Sequence, residues 1–221
     1  MKQILILVFG GLLVGSLGAQ TQFQSVLDPA QIVPTTGQDP DGVSGFSGAA
    51  TMTYQNNGSP KLDYSIFLPG LDLDGNRTPG NFADDVTAIH IHFGAPGANG
   101  PHALNIFGIS AGQVRQDDAD MRFDSANATV TGRWDDSDQL FTGLGGLQQP
   151  FDSVSLSGAT NDLFGGGLYY QVHTVNFPNG ELRGQLVPVP EPSAIVLIGC
   201  GLSAVFGGIH RGRITSINTK S

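Results

Sequence analysis

The sequence predicts an all-β fold, either a sandwich or a barrel of about seven or eight strands. Glycine is unusually frequent, with 32 of 221 residues, and only 13% of the residues are charged. Turn dipeptides such as Asn57-Gly58, Pro69-Gly70 and Asn179-Gly180 recur along the chain, roughly every ten residues. No window shows the sustained 3.6-residue apolar period of an amphipathic helix. Short strands joined by tight turns account for all three observations.

Seven segments between the turn signals have the length and composition of strands. In chain order they are 48–54, 61–68, 86–93, 103–109, 128–134, 168–175 and 181–187. The first two are expected to pair as a hairpin across 56–60. The last two are expected to pair across Pro178-Asn179-Gly180, because Asn and Gly accept the positive φ of a tight hairpin turn.

The predicted β domain, residues 20–188, is strongly acidic. It contains 18 acidic and six basic residues, which gives a net charge of about −12. Such a field repels phosphates, so we expect no nucleic-acid partner and favour cations or basic partners. The single cysteine, Cys200, cannot form an intrachain disulfide and is interpreted as a small buried hydrophobe.

The N-terminus, residues 1–19, has the pattern of a secretory signal peptide. Lys2 precedes an apolar stretch, which ends in the small residues Gly18 and Ala19. A retained N-terminal anchor is the alternative interpretation. Either way, the domain that follows is expected to be exported.

The C-terminus predicts a short membrane helix. Residues 193–209 carry no charge, and Arg211 and Arg213 follow them. A run of 17 apolar residues is at the lower limit for a span, and the basic flank is typical of the cytoplasmic side. We therefore expect a transmembrane helix at 193–209, a cytoplasmic tail at 214–221 and a domain on the outer side.

Residues 189–213 resemble the PEP-CTERM sorting signal. The resemblance depends on Pro190, Glu191 and Pro192, followed by the apolar helix and by Arg211 and Arg213. It implies a Gram-negative bacterium that often makes exopolysaccharide, and an exosortase-like membrane protease as partner. The tail 214–221 is longer than the family's usual end after the arginines. An anchor that nothing cleaves is the alternative.

Two stretches resemble the CHRD domain. One is the VTAIHIHFGAPGANGP segment at 86–101, and the other combines YQVHT at 170–174 with PNGELRGQL at 178–186. The resemblance spans about residues 22–188, with 27–34 as the opening strand. It implies an immunoglobulin-like antiparallel β-sandwich, but it implies little about molecular activity.

Three histidines form a candidate metal site. His90 and His92 are two residues apart on a predicted strand, so their side chains project to one face. His173 is predicted to lie on the polar face of another strand. Three imidazoles could hold zinc or copper, with His102 as a further member. The alternative is a structural network in which these histidines hydrogen-bond the turns 94–101 and 178–180.

A second candidate site is an acidic loop. Asp72, Asp74 and Asn76 resemble the start of an EF-hand calcium loop, but position 12 is not Glu. Asp84 and Asp85 follow at once and could complete an irregular calcium site. A solvated loop is the alternative.

We find no motif for catalysis and expect no enzymatic activity. Trp134, Tyr169 and Tyr170 are interpreted as core residues rather than a sugar platform, and Arg183 is expected to pair with a carboxylate. The sequence therefore favours a non-enzymatic cell-surface or extracellular-matrix protein that binds protein or polysaccharide. The alternatives are a zinc or copper metalloprotein with superoxide-dismutase-like chemistry, and a calcium-stabilised adhesin.

Overall fold

The chain folds into two antiparallel β-sheets, which a computed structural model describes over residues 20–34, 44–110, 113–138 and 152–190. The strands are β1 (Gln20–Leu27), β2 (Gly48–Asn56), β3 (Pro60–Phe67), β4 (Val86–Phe93), β5 (His102–Ser110), β6 (Gln113–Arg115), β7 (Arg122–Asp124), β8 (Thr129–Asp135), β9 (Leu168–Thr174), β10 (Leu182–Gln185) and β11 (Val187–Pro188). The six-stranded sheet has the order β11-β1-β2-β3-β8-β7, and the five-stranded sheet has the order β10-β9-β4-β5-β6. The prediction of a mostly β, sandwich-like fold is confirmed.

The core lies between the two sheets, and alternation along strands such as β3 directs apolar side chains into it. In β3, Leu62, Tyr64 and Ile66 are buried, whereas the residues between them are exposed or half-buried. The other sheet contributes Ile89 and Ile91 of β4, both fully buried. Each such side chain contributes about 1.5–3 kcal/mol when it leaves water. This burial fixes which face of every strand points inward.

The opening strand differs from the expectation. The segment 27–34 was expected to form it, but β1 ends at Leu27 and a short 3₁₀ helix, Pro29–Gln31, follows. The Asp28 side chain accepts a hydrogen bond from the Ala30 backbone N–H, and the proline stands in the first turn. A capping aspartate followed by proline favours such a turn over an extended strand.

One α-helix, α1 (Leu156–Gly165), was not predicted. Ser155 caps its start by accepting a hydrogen bond from the Gly158 N–H, and Gly166 ends it with φ of 70°. The helix buries Leu156, Ala159 and Leu163. Three apolar residues in ten are too short a stripe to stand out from sequence alone.

The structure does not describe the predicted signal peptide or most of the predicted C-terminal sorting signal. The signal peptide at 1–19 and the membrane helix at 193–209 lie outside the described residues, as do Glu191, Pro192, Arg211 and Arg213. Among the helices that are described, none is long and apolar enough to span a membrane. Pro190 is described and lies two residues after the end of β11.

A buried acidic cluster lies near one edge of the six-stranded sheet. Tyr64 donates its phenolic hydrogen to Asp118, which also accepts from the Arg133 backbone N–H. Asp138 is 5% exposed. Burial, together with the nearby charges of Asp118 and Asp135, raises the pKa of the Asp138 carboxyl to about 7. Asp138 therefore holds its proton until near neutral pH.

Replacing Asp138 by asparagine tests this cluster. Because its folded pKa of about 7 lies above the ordinary 3.8, Asp138 lowers the stability of the folded state as the pH rises from about 4 through 7. We expect Asp138→Asn to stabilise the protein at about pH 8 and to have little effect at about pH 4. Urea unfolding at several pH values measures the difference.

The matched control is Asp162→Asn, on the exposed side of α1. Its effect on the free energy of unfolding should not follow the same pH dependence. A destabilisation by Asp138→Asn of equal size at both pH values would contradict a proton held on the buried carboxyl.

Candidate metal centre

Four histidines from three adjacent strands lie together on the five-stranded sheet. His90 and His92 belong to β4, His102 begins β5 and His173 belongs to β9. The exposed fractions of His90, His92 and His102 are 3, 7 and 8%, and His173 is half-buried. The site therefore lies on the central strand, on the face opposite to Ile89 and Ile91.

The pairing of β4 with β5 contains two register shifts, one between Ile89 and His90 and one between Ile91 and His92. At the second shift, His92 lies opposite His102 and Ile91 lies opposite Leu104, so Ala103 is an extra residue. A regular strand would place residues 102 and 105 on opposite faces. The extra residue, a β-bulge, places Asn105 on the same face as His102.

The imidazole rings are close enough to share one ion. The ring centroids of His90 and His102 are 4.2 Å apart, and those of His92 and His102 are 4.4 Å apart. His90, His92 and His102 each offer one nitrogen atom, and the three nitrogens lie within 4.8 Å of one another. Nitrogens bound to one zinc ion at about 2.0–2.1 Å lie about 3.3 Å apart. Small ring rotations would bring these nitrogens to that distance.

His173 lies at the edge of this group. Its ring centroid is 5.0 Å from that of His90, because His173 pairs with Ala88, next along the same face of β4. Of the three histidines expected at the site, the structure brings His90 and His92 together and places His173 beside His90. His102, a subsidiary candidate in the sequence, lies against both His90 and His92.

Hydrogen bonds fix which nitrogen of each ring carries hydrogen. The Nδ1 atoms of His92 and His173 lie 3.0 and 2.9 Å from the carbonyl oxygens of Gly100 and Pro178. A carbonyl oxygen can only accept, so each Nδ1 must donate and each Nε2 keeps its lone pair. These two Nε2 atoms are buried and have no hydrogen-bond partner within the part of the chain that the structure describes.

His102 is oriented by a side-chain relay. Its Nδ1 lies 2.5 Å from the Asn105 side-chain oxygen. The Asn105 amide nitrogen donates to Asp117 at 2.9 Å, which fixes the amide so that its oxygen faces the ring. Ser153 donates to the same carboxylate at 2.6 Å. Metal-binding histidines commonly have such outer partners.

The structural-network interpretation and the metal-site interpretation therefore involve different nitrogen atoms of the same rings. Hydrogen bonds to the turns 94–101 and 178–180 occupy Nδ1 of His92 and His173. The lone pairs at Nε2 remain for a metal ion. The turn contacts orient the rings and are compatible with metal binding.

Two of the rings are held neutral near neutral pH. Burial, together with the neighbouring His102, lowers the pKa of His92 to about 3. Burial also lowers the pKa of His173. Metal binding requires deprotonated imidazole, so these rings need not release protons near neutral pH. Imidazole donors suit zinc and copper, whereas calcium and magnesium prefer oxygen.

Among the residues that the structure describes, Arg183 pairs with no carboxylate, contrary to expectation. It is 1% exposed and donates to Asn99 and to the carbonyl oxygens of Ala95 and Ala98. Glu181 accepts hydrogen bonds from Ser44 and Thr174 instead. The loop 94–101 approaches Arg183 closely enough to supply three acceptors, which strand positions alone could not indicate.

The acidic loop is built mainly from local hydrogen bonds. The Asp72 carboxylate accepts from the backbone N–H groups of Asp74, Gly75 and Thr78, and Asp74 accepts from that of Asn76. The Thr78 hydroxyl donates to Asp84, and Asp85 pairs with Asp72 in an isolated bridge. Within the described ranges, only His90, His92 and His102 form a group of three His, Cys, Asp or Glu ligands within 4.8 Å. The calcium site remains a prediction.

The three aromatic residues considered as a sugar platform are all in the interior. Trp134, Tyr169 and Tyr170 are at most 1% exposed. Trp134 donates its indole N–H to the Val154 carbonyl oxygen. Trp134 and Tyr170 belong to the core between the sheets, as expected, whereas Tyr169 is buried against His92 on the other face of the five-stranded sheet.

The comparison with protein families identifies one match, the CHRD domain, over residues 23–186. Neither the comparison with curated proteins nor that with solved structures finds a match.

The tautomers can be observed directly in metal-free protein. The chain has five histidines, so histidine-selective ¹⁵N labelling gives a sparse spectrum. At pH 7 we expect His92, His102 and His173 to carry hydrogen on Nδ1 and none on Nε2, because oxygen acceptors face each Nδ1. Hydrogen on Nε2 of these rings would contradict the orientation of the site.

Proposed function

We propose that this chain, which belongs to the CHRD domain family, is an exported surface module. Its β-sandwich would hold one transition-metal ion at His90, His92 and His102. The observation that carries the proposal is the convergence of three buried imidazoles from two paired strands. Zinc and copper are the metals that fit the nitrogen donors best. His173 is an additional candidate ligand.

Burial of polar atoms supports a ligand at this point. A buried polar group that makes no hydrogen bond costs about 1–3 kcal/mol. Such groups are rare in native proteins, and each calls for an explanation. The buried Nε2 atoms of His92 and His173 are of this kind. A metal ion that accepts a lone pair from Nε2 would remove the cost.

We assign the ion a structural role in a non-enzymatic module. Structural zinc sites are typically closed by four protein ligands, and His173, beside His90, is the candidate for the fourth. The ion would link β4 to β5 at the centre of the five-stranded sheet. A redox-active copper centre, with superoxide-dismutase-like chemistry, is the second candidate, because imidazole ligands suit copper equally well.

Export and sorting are inferred from the two ends of the chain. We propose a signal peptide at 1–19, a PEP-CTERM signal at 189–213 with a transmembrane helix at 193–209, and an exosortase-like protease that reads Pro190, Glu191 and Pro192. The position of Pro190 supports this proposal. It lies two residues after β11, which pairs with β1, so the proposed motif comes after the last strand of the domain in the chain.

We further propose that the sandwich is immunoglobulin-like and that the protein acts at the cell surface or in the extracellular matrix. Its acidic domain favours a basic protein or a polysaccharide crosslinked by cations over nucleic acid. A calcium-stabilised adhesin remains the alternative, through Asp72, Asp74, Asn76, Asp84 and Asp85.

Elemental analysis of the full-length protein after dialysis tests the metal site. We expect about one zinc or copper ion per chain, and its loss from the His90→Ala/His92→Ala variant, because the remaining ligands cannot form a three-nitrogen site. His210→Ala is the matched control and should keep the metal. Equal metal content in the double variant and in the wild type would refute the proposal.

Thermal unfolding separates the transition-metal and calcium hypotheses. Zinc at about 1,000 times its Kd should stabilise the wild type by about 4 kcal/mol, because it binds only the folded state. The same addition should not stabilise His102→Ala. If calcium instead raises the Tm, and Asp72→Asn removes that effect, the adhesin hypothesis replaces this one.

A further inference from the structure

A buried arginine contacts the loop next to the proposed metal site. Arg183 is 1% exposed, and its three oxygen acceptors, in Ala95, Ala98 and Asn99, belong to one loop. The distances are 3.2, 2.8 and 3.0 Å. Burying a cation without a carboxylate partner is costly, and an apolar side chain of similar volume is often better for stability. Stability alone is therefore a poor reason for an arginine at this position.

The loop held by Arg183 carries the hydrogen-bond acceptor of a metal-site histidine. The loop, residues 94–101, connects β4 to β5, and its Gly100 carbonyl oxygen accepts from His92 Nδ1. The Gly100 backbone N–H in turn donates to the Tyr169 hydroxyl at 3.3 Å. Gln185 holds the start of the loop by donating to the Gly94 carbonyl oxygen at 2.9 Å.

The same arginine also reaches His92 through a stack of planar groups. The Arg183 guanidinium carbon lies 3.5 Å from the centroid of the Tyr169 ring. Tyr169 stacks on His92 with a centroid distance of 5.0 Å and an angle of 9° between the ring planes. The guanidinium, phenol and imidazole therefore follow one another in a column. The ring plane of His92 is set by this column, and its tautomer is set by the loop.

We propose that Arg183 is a positioning residue of the metal site, which acts on His92 through the loop 94–101 and through Tyr169. This inference rests on the proposed function. Arg183 makes no contact with the ion. It holds the acceptor of His92 Nδ1 in place, so that Nε2 is presented to the metal before the metal arrives. Only the planar, multiply donating guanidinium can both stack on Tyr169 and reach three acceptors.

The test compares Arg183→Lys, Arg183→Met and Tyr169→Phe in the full-length chain purified in detergent. Lysine keeps the charge but loses the fork of donors, and phenylalanine keeps the stacked ring but loses the acceptor for the Gly100 N–H. Arg133→Met is the matched control, because Arg133 pairs with Asp63 on the other sheet at a half-exposed position.

Two measurements distinguish positioning from a purely structural role. The first is the His92 tautomer in metal-free, ¹⁵N-histidine-labelled protein, which should be Nδ1–H in the wild type and mixed in both Arg183 variants. The second is zinc affinity by competition with a chromophoric chelator. We expect at least about a tenfold loss in Arg183→Met and Arg183→Lys, as for outer-shell residues elsewhere, and less than about a twofold change in Arg133→Met.

The outcomes are separable. Arg183 variants that are less stable but keep the wild-type tautomer and zinc affinity would overturn the inference. If Arg183→Met does not fold, Arg183→Lys and Tyr169→Phe decide by the same two readouts. A wild type that binds neither zinc nor copper would refute the proposed function, whereas a tautomer change in Arg183→Lys would still establish that Arg183 orients His92.

Discussion

The arrangement of the site depends on one constraint, the burial of strand β4 on both faces. One face contributes Ile89 and Ile91 to the core between the sheets, and the other buries His90 and His92. Apolar side chains on the first face need only space to pack, whereas the imidazole rings on the second face also need hydrogen-bond partners. The bulge in β5, the loop 94–101 and the turn before β10 all supply such partners. A strand buried on only one face would have required none of these features.

Each partner forms a hydrogen bond with Nδ1 of a ring, and the other ring nitrogen, Nε2, points away from that partner. Carbonyl oxygens hold Nδ1 of His92 and His173, and the Asn105 amide holds that of His102. Orientation of the rings is thus established by the protein before any ion is bound, which lowers the entropy lost on binding. This division also explains why a structural network and a metal site are not competing descriptions of the same histidines. The network prepares the lone pairs that a metal would use.

Buried titratable groups affect stability in opposite directions. The pKa of His92, lowered to about 3, makes the folded state less stable as the pH falls below the ordinary histidine value of 6.5. The pKa of Asp138, raised to about 7, makes the folded state less stable as the pH rises above about 4. Between about pH 4 and 6.5 the two effects oppose each other, which flattens the dependence of stability on pH. Binding of a metal to His92 would further disfavour its protonation.

The sequence by itself determined the β class, the strand bounds near the turns and the shared face of His90 and His92, because turn chemistry and a period of two are local properties. The bounds of β4 agree with the predicted segment 86–93. Tertiary structure decided that His102 lies against His90 and His92, because the register between β4 and β5 depends on bulges and on a loop held by Arg183, a residue far away in the chain. It also decided that Arg183 would bind carbonyl oxygens rather than a carboxylate. A strand pattern states which face a side chain occupies, but only the pairing of distant segments determines which other side chains meet it there.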